Sequence, residues 1–179
     1  HRRSVLVGDA GDAIENLRDL GAVRTYANVA ASDPPVVFLF SGQDAQYIHM
    51  AAGLRGESAF ANALAECSAL LAEHGINLEE LIWPGGGVGA PQFDAEFALD
   101  PVPLLAIEYA LARLWQSWGV EPSAMLGYSL GEYVVAVLAG VLSLGDALGL
   151  AAAGRELLRA TEPGALLGVA LGAGEVQNE

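Results

Sequence analysis

Apolar positions along this chain alternate between short unbroken runs and runs at helical spacing. Residues 4–7, Ser-Val-Leu-Val, predict a short strand. Asp12, with Glu15 three positions on, makes a capping-box-like helix start. Ile14, Leu17 and Leu20 share one face of that helix, which stops at Gly21. Residues 22–35 read as a linker ending in Pro34-Pro35. Val36-Val37-Phe38-Leu39-Phe40 is wholly apolar, the pattern of a strand buried on both faces of a parallel sheet, and the turn Ser41-Gly42-Gln43-Asp44 follows it. A helix is predicted over 57–74, with Phe60, Leu64, Cys67 and Leu71 on one stripe and Gly75 at its end. The glycine run of residues 84–91 lacks the Gly-Lys-Ser/Thr ending of a phosphate loop and reads as linker. A further helix spans 103–118, packed through Leu104, Ile107, Leu111, Leu114 or Trp115, and Trp118, and capped by Gly119. Its aromatic positions read as packing. The apolar run Ala124-Met125-Leu126 then leads through a tight turn into a helix-like run from Glu132 to Ala139. Ser143 and Asp146 open another helix to about residue 160; Pro163-Gly164 breaks it, and residues 165–171 read as a strand. Strands alternating with helices predict an α/β fold with a mostly parallel sheet. There is no internal repeat.

The turn between the 124–126 strand and the 132–139 helix holds the candidate chemistry. Gly127-Tyr128-Ser129-Leu130-Gly131 has the strand–turn–helix setting of a nucleophile elbow. So sharp a turn leaves no room for side chains two residues either side of the serine. It lifts the hydroxyl to the tip of the sheet and aims the amide of Leu130 at the place where an oxyanion forms. An ordinary turn between a buried strand and a buried helix is the alternative that the motif alone leaves open.

Composition narrows the function classes. The chain has 179 residues, 53% of them hydrophobic, enough for one domain with a real core. Eight basic against 22 acidic residues give a net charge of −14, which argues against nucleic acid or an anionic membrane as partner. Every basic residue is an arginine. The single cysteine, Cys67, allows no internal disulfide, fits a reducing cytoplasm, and at its helical position is expected in the core. The start, His1-Arg2-Arg3-Ser4, has neither an initiator methionine nor a signal peptide, which suggests a piece of a longer polypeptide. The apolar stretch Tyr133 to Leu144 is too short to span a bilayer and reads as a buried helix. No His, Cys or carboxylate cluster has metal-ligand spacing, and the acid pair Glu79-Glu80 reads as solvated surface.

Two motifs together carry a family resemblance. Phe40-Ser41-Gly42-Gln43-Asp44-Ala45-Gln46 resembles the F-x-G-Q-G-x-Q signature of the malonyl-CoA:acyl-carrier-protein transacylase family, and Gly127 to Glu132 resembles its G-H-S-x-G-E. Leu111 to Trp115, Trp118 to Pro122 and Gly140 to Leu144 look like the acyltransferase domains of modular type I polyketide synthases. The resemblance covers nearly the whole chain. It implies an α/β-hydrolase-like parallel core over residues 36–162. Residues 1–35 would be a small α+β ketosynthase-to-acyltransferase linker, and residues 163–179 the start of a ferredoxin-like subdomain that is only begun. It implies ping-pong acyl transfer from an acyl-CoA to the phosphopantetheine thiol of an acyl carrier protein, with neighbouring synthase domains as further partners and no cofactor of the chain's own. Ser129 would be the nucleophile, and the backbone amides of Gln43 and Leu130 the oxyanion hole.

Four positions depart from that pattern. Asp44 replaces the second glycine of G-Q-G, Pro101 falls where the family has a glutamine, and Tyr128 replaces the histidine before the serine. Gly154 falls where malonyl-type members carry the arginine that grips a free carboxylate; Arg155 is adjacent, but one step along a helix turns it by about 100 degrees. The family's catalytic histidine lies downstream of the serine, where this chain has none. His1, His49 and His74 read as terminal, surface or helix-end residues. The resemblance further implies that a segment beyond this chain covers the 165–171 strand. Three readings follow: an acyltransferase loading a monocarboxylic starter, a truncated inactive acyltransferase kept as scaffold, and a serine esterase of the α/β-hydrolase type.

Overall fold

A computed structural model describes residues 2–18, 25–28, 34–43, 45–86 and 94–162, with Gly164, Ala170 and Gly172 beyond them. Asp44, most of the glycine run and all of the 165–171 stretch except Ala170 lie outside the described residues. The chain divides into two compact units, residues 1–35 and 36–179.

In the first unit, strand β1 (Arg2–Val5) precedes helix α1 (Ala10–Arg18) and pairs antiparallel with strand β2 (Thr25–Asn28), in the register Arg2 to Asn28. The strand β2 lies in the stretch expected to be plain linker. The helix also begins a turn earlier than its sequence suggests. Asp9 accepts from the Asp12 N–H at 2.9 Å and Asp12 accepts from the Gly8 N–H at 2.9 Å, so Asp12 is the inner member of the box and not its cap. Ile14 and Leu17 are exposed.

In the second unit, strand β3 (Val37–Phe40) leads through a 3-10 turn at Ala52–Leu54 to helix α2 (Ser58–Ala72). Two short helices unseen in the sequence follow, α3 (Leu78–Ile82) and α4 (Ala95–Leu99), capped by the side chains of Asn77 and Asp94. Helix α5 (Pro101–Ser117), strand β4 (Ala124–Gly127), helix α6 (Gly131–Leu138) and helix α7 (Leu144–Ala160) complete the described unit. Helix α5 starts where Asp100 caps it and Pro101 occupies its first turn. Helix α7 starts at Ser143, which accepts from the Asp146 N–H at 3.0 Å, as its sequence predicts.

The strands β3 and β4 pair in parallel, Val37 with Ala124 through Phe40 with Gly127. Helix α5 is the centre of the core, with Leu105, Ala106, Ile107 and Ala110 wholly buried, and Phe60, Leu64, Cys67 and Leu71 of α2 pack in the same cluster. Burial, with Glu66 beside it, pushes the Cys67 thiol up to about 12, so Cys67 is inert core.

Two expectations about burial fail. Side chains alternate along a strand, so Phe38, Phe40 and Met125 turn to the core, whereas Leu39 is 72% and Leu126 65% exposed. The β3 strand is therefore buried on one face only among the described residues. The 133–144 run is not one buried helix: α6 ends at Leu138, Gly140 takes φ 72°, and Val141 is exposed. Trp115 and Trp118 are half-exposed and pack edge-to-face on each other, 5.2 Å between ring centres. No described helix is long and apolar enough to cross a membrane.

These burial differences set the expected cost of truncation. Leu105→Ala should destabilise the protein by about 2–5 kcal/mol, through lost burial and the cavity it leaves, whereas Trp115→Ala should cost about 1 kcal/mol. Urea unfolding midpoints of the two variants measure the contrast.

Candidate active site

The parallel register sets the turn after β3 beside the turn after β4. Backbone contact then dictates the glycines. A Cβ on Gly127 would lie 2.4 Å from the Glu132 nitrogen, and one on Gly131 would lie 2.6 Å from the Phe40 carbonyl oxygen. Both clashes are with backbone, which cannot swing aside. The turn closes with the Tyr128 N–H donating to the Phe40 carbonyl at 3.0 Å and the Gly131 N–H donating to the Tyr128 carbonyl at 3.0 Å. Ser129 sits between the two glycines at φ 54°, a left-handed conformation that costs a non-glycine residue about 1–2 kcal/mol. Leu130 caps α6, so its amide is among those a helix leaves without an internal acceptor, at the positive end of the helix dipole.

Ser129, Leu130, Gln43, Pro101 and Gly154 line one cleft of about 350 Å3. Tyr133, Leu150, Ala151, Leu157 and Leu158 are the other described residues of its lining, none of them charged. Sequence-predicted residues from four separate elements thus meet in one place. Tyr128 does not line this cleft. Its ring packs over the turn after β3 instead, where a Cβ on Gly42 would come within 2.8 Å of Tyr128 Cδ1. Arg155 does not line it either. The helix turns it towards a neighbouring cavity, where its Nε lies 2.7 Å from Asp100 Oδ2. No histidine is among the lining residues. The His49 N–H donates to the Ile82 carbonyl at 2.9 Å. The His74 imidazole lies against α7, its Nε2 3.7 Å from a Cβ built on Gly149.

The positioning roles of three side chains escaped the sequence reading. Glu108, buried on α5, accepts from Ser41 twice, the N–H at 2.7 Å and the Oγ–H at 2.6 Å, and so fixes the start of the turn that carries Gln43. Gln46, also buried, donates through Nε2 to the carbonyls of Phe97, Ala98 and Asp100 at 3.1, 2.8 and 2.8 Å. Gln43 Nε2 donates to the Leu99 carbonyl at 2.7 Å. The two motif glutamines therefore hold the α4–α5 corner and with it Pro101, while Asp100 accepts from the Val102 N–H at 3.1 Å. Gln46 was legible as a motif member, but its partners lie 51–54 residues away and have no local signature. Burial pushes the Glu108 carboxyl above the usual glutamate range, and the Ser41 donors pull it partly back.

The sequence matches the acyl transferase domain family over residues 37–179. The polyketide synthase GfsE of Streptomyces halstedii is 38% identical over 157 residues, 82% of this chain and 4% of that protein. The solved acyl transferase domain of ZmaA superposes with a TM-score of 0.77 at 35% identity, covering 90% of this chain and 38% of that one. A type II polyketide synthase acyl-carrier protein in complex with its malonyl-transacylase gives a TM-score of 0.59 at 30% identity, covering 73% of this chain and 40% of that one. The chain spans 8% and 4% of the length of two curated relatives that it matches.

Two outcomes follow from this geometry. Ser129→Gly should be about 1 kcal/mol more stable than Ser129→Ala, because glycine relieves the left-handed backbone; thermal or urea unfolding of the pair reads it. Glu108 is raised in the folded state above its ordinary 4.5. Its stabilising contribution is therefore complete below that value and is lost as pH rises through the folded one. Glu108→Gln, which stays neutral, should gain stability relative to the parent between pH 4 and pH 7, measured by urea midpoints at both.

Proposed function

The chain belongs to the acyl transferase domain family, and on that premise we propose that it moves an acyl group from a coenzyme A thioester to an acyl carrier protein in polyketide assembly, through an ester on Ser129. One observation carries the reading. A serine held in a left-handed turn shares an uncharged cleft with the Leu130 helix-start amide and with Gln43. In this reading the Ser129 oxygen attacks the thioester carbonyl, and the two backbone amides hold the oxyanion. The C–S bond then breaks, and the coenzyme A thiol leaves with the proton the serine gave up. The carrier thiol attacks the resulting ester, and Ser129 recovers a proton. The thioester supplies its own activation, and phosphopantetheine belongs to the carrier. The likeness to a transacylase solved with its carrier protein supports that acceptor. The small share of each synthase that the chain spans supports neighbouring domains as further partners.

The proton must be relayed by a base, and the described lining residues include neither imidazole nor carboxylate. The base in this reading comes from the part of the domain outside the 38% of the ZmaA domain that this chain covers. The same lack supports a second reading, a scaffold element of a synthase in which Ser129 is never acylated. With no charge in the lining, the acyl group is expected to be uncharged, acetyl or propionyl ahead of malonyl.

Intact-protein mass spectrometry separates the readings. The chain and its Ser129→Ala variant are incubated with acetyl-, propionyl-, malonyl- and methylmalonyl-CoA. A mass gain absent from the variant is the expected result. A folded chain that gains nothing, alone and within its full-length parent, establishes the scaffold reading. An adduct lost to water as fast as to a carrier thiol points to an esterase.

A further inference from the structure

The described lining of the cleft is uncharged although an arginine stands at its edge. Gly154 and Pro101 both line it, and each is chain neighbour to one member of a shielded ion pair, Arg155 and Asp100. The Arg155 and Asp100 side chains are only 13% and 7% exposed. Both face a second cavity of about 530 Å3, which shares Leu158 with the cleft. Resting on the reading of the cleft as the acyl site, we propose that Asp100 is a specificity-determining residue: it holds Arg155 in the second cavity, keeps the cleft free of a cation, and so selects against acyl groups bearing a free carboxylate.

Three features support this. Gly154 leaves space beside α7 at the cleft, since a Cβ there would meet only Pro101 Cγ, at 3.9 Å. An arginine stem is long and flexible enough to use that space. The Asp100 end of the pair is immobile: its carboxylate also caps α5 through the Val102 N–H, and Gln46 holds its carbonyl at 2.8 Å. At Arg155 the Nε lies 2.7 Å from the Asp100 carboxylate, a short contact between shielded opposite charges. The second cavity also holds Asp94 and Arg159, so two acids balance two arginines there; neutralising Asp100 leaves an excess of positive charge beside the cleft.

The test is competitive acylation of the full chain by equimolar acetyl- and malonyl-CoA, read as the ratio of malonyl to acetyl ester on Ser129 by intact mass. The parent is expected to give less than about one malonyl per ten acetyl. Asp100→Asn and Asp100→Ser both keep a helix cap, and either should raise that ratio about tenfold. Adding Arg155→Gln should abolish the gain. A ratio within twofold of the parent in a folded Asp100 variant, or a gain that survives Arg155→Gln, overturns the proposal. If no thioester loads even the unmutated chain, the acyl-transfer reading is judged by loading of the full-length parent and the pair by binding. The Gly154 amide NMR signal should then shift saturably with sodium malonate in Asp100→Asn and not in the parent, and equal responses overturn the proposal.

Discussion

Close backbone contact between the end of one strand and the start of one helix governs the site. Gly131, the first residue of α6, abuts the carbonyls of Phe40 and Ser41 at a distance no side chain would permit. This contact brings the turn after β4 against the turn after β3, and the parallel register from Val37–Ala124 to Phe40–Gly127 keeps them level. Ser129 and Leu130 come from one turn, Gln43 from the other. The left-handed backbone at Ser129 is a consequence: the chain must reverse sharply between two glycines that have no freedom to move apart.

A second set of constraints comes from polar side chains at and beneath these turns. Glu108 ties Ser41 to α5, and Gln46 and Gln43 tie the α4–α5 corner to the β3 turn. Each bond joins residues far apart in sequence, and Glu108 and Gln46 are buried, where an unpaired polar atom is costly. Helix α5 therefore serves both as the apolar centre of the core and as the frame of the cleft. Its first residue, Pro101, lines the site, while its cap, Asp100, points away into an ion pair. The charge of the site is decided by that division, one residue apart.

The parts that could be read in advance share a property: their cause is local. The helix stripe Phe60, Leu64, Cys67, Leu71, the Ser143 cap and the glycine spacing around Ser129 each follow from chain geometry over a few residues. The misplaced parts were local ambiguities that pairing resolved. Asp12 lies inside α1, which begins at Ala10, so Asp9 accepts from its N–H while its own carboxylate accepts from the Gly8 N–H, and residues 25–28 pair antiparallel with β1. The apolar run of β3 concealed its alternation, since Val37 and Leu39 look like core in composition yet face outward.

By itself, the sequence determined the turn chemistry: a serine between two glycines, after a strand and before a helix, with a second glycine turn upstream. It also determined the absence of an arginine at position 154. Tertiary structure alone decided that these pieces share one cleft, that Glu108 and Gln46 hold it, and that Arg155 faces Asp100. The reason is physical. Local steric rules act between neighbours in the chain, whereas hydrogen bonds to buried carboxylates and carbonyls, and the ion pair that removes a charge from the cleft, depend on which distant residues the packed core brings together.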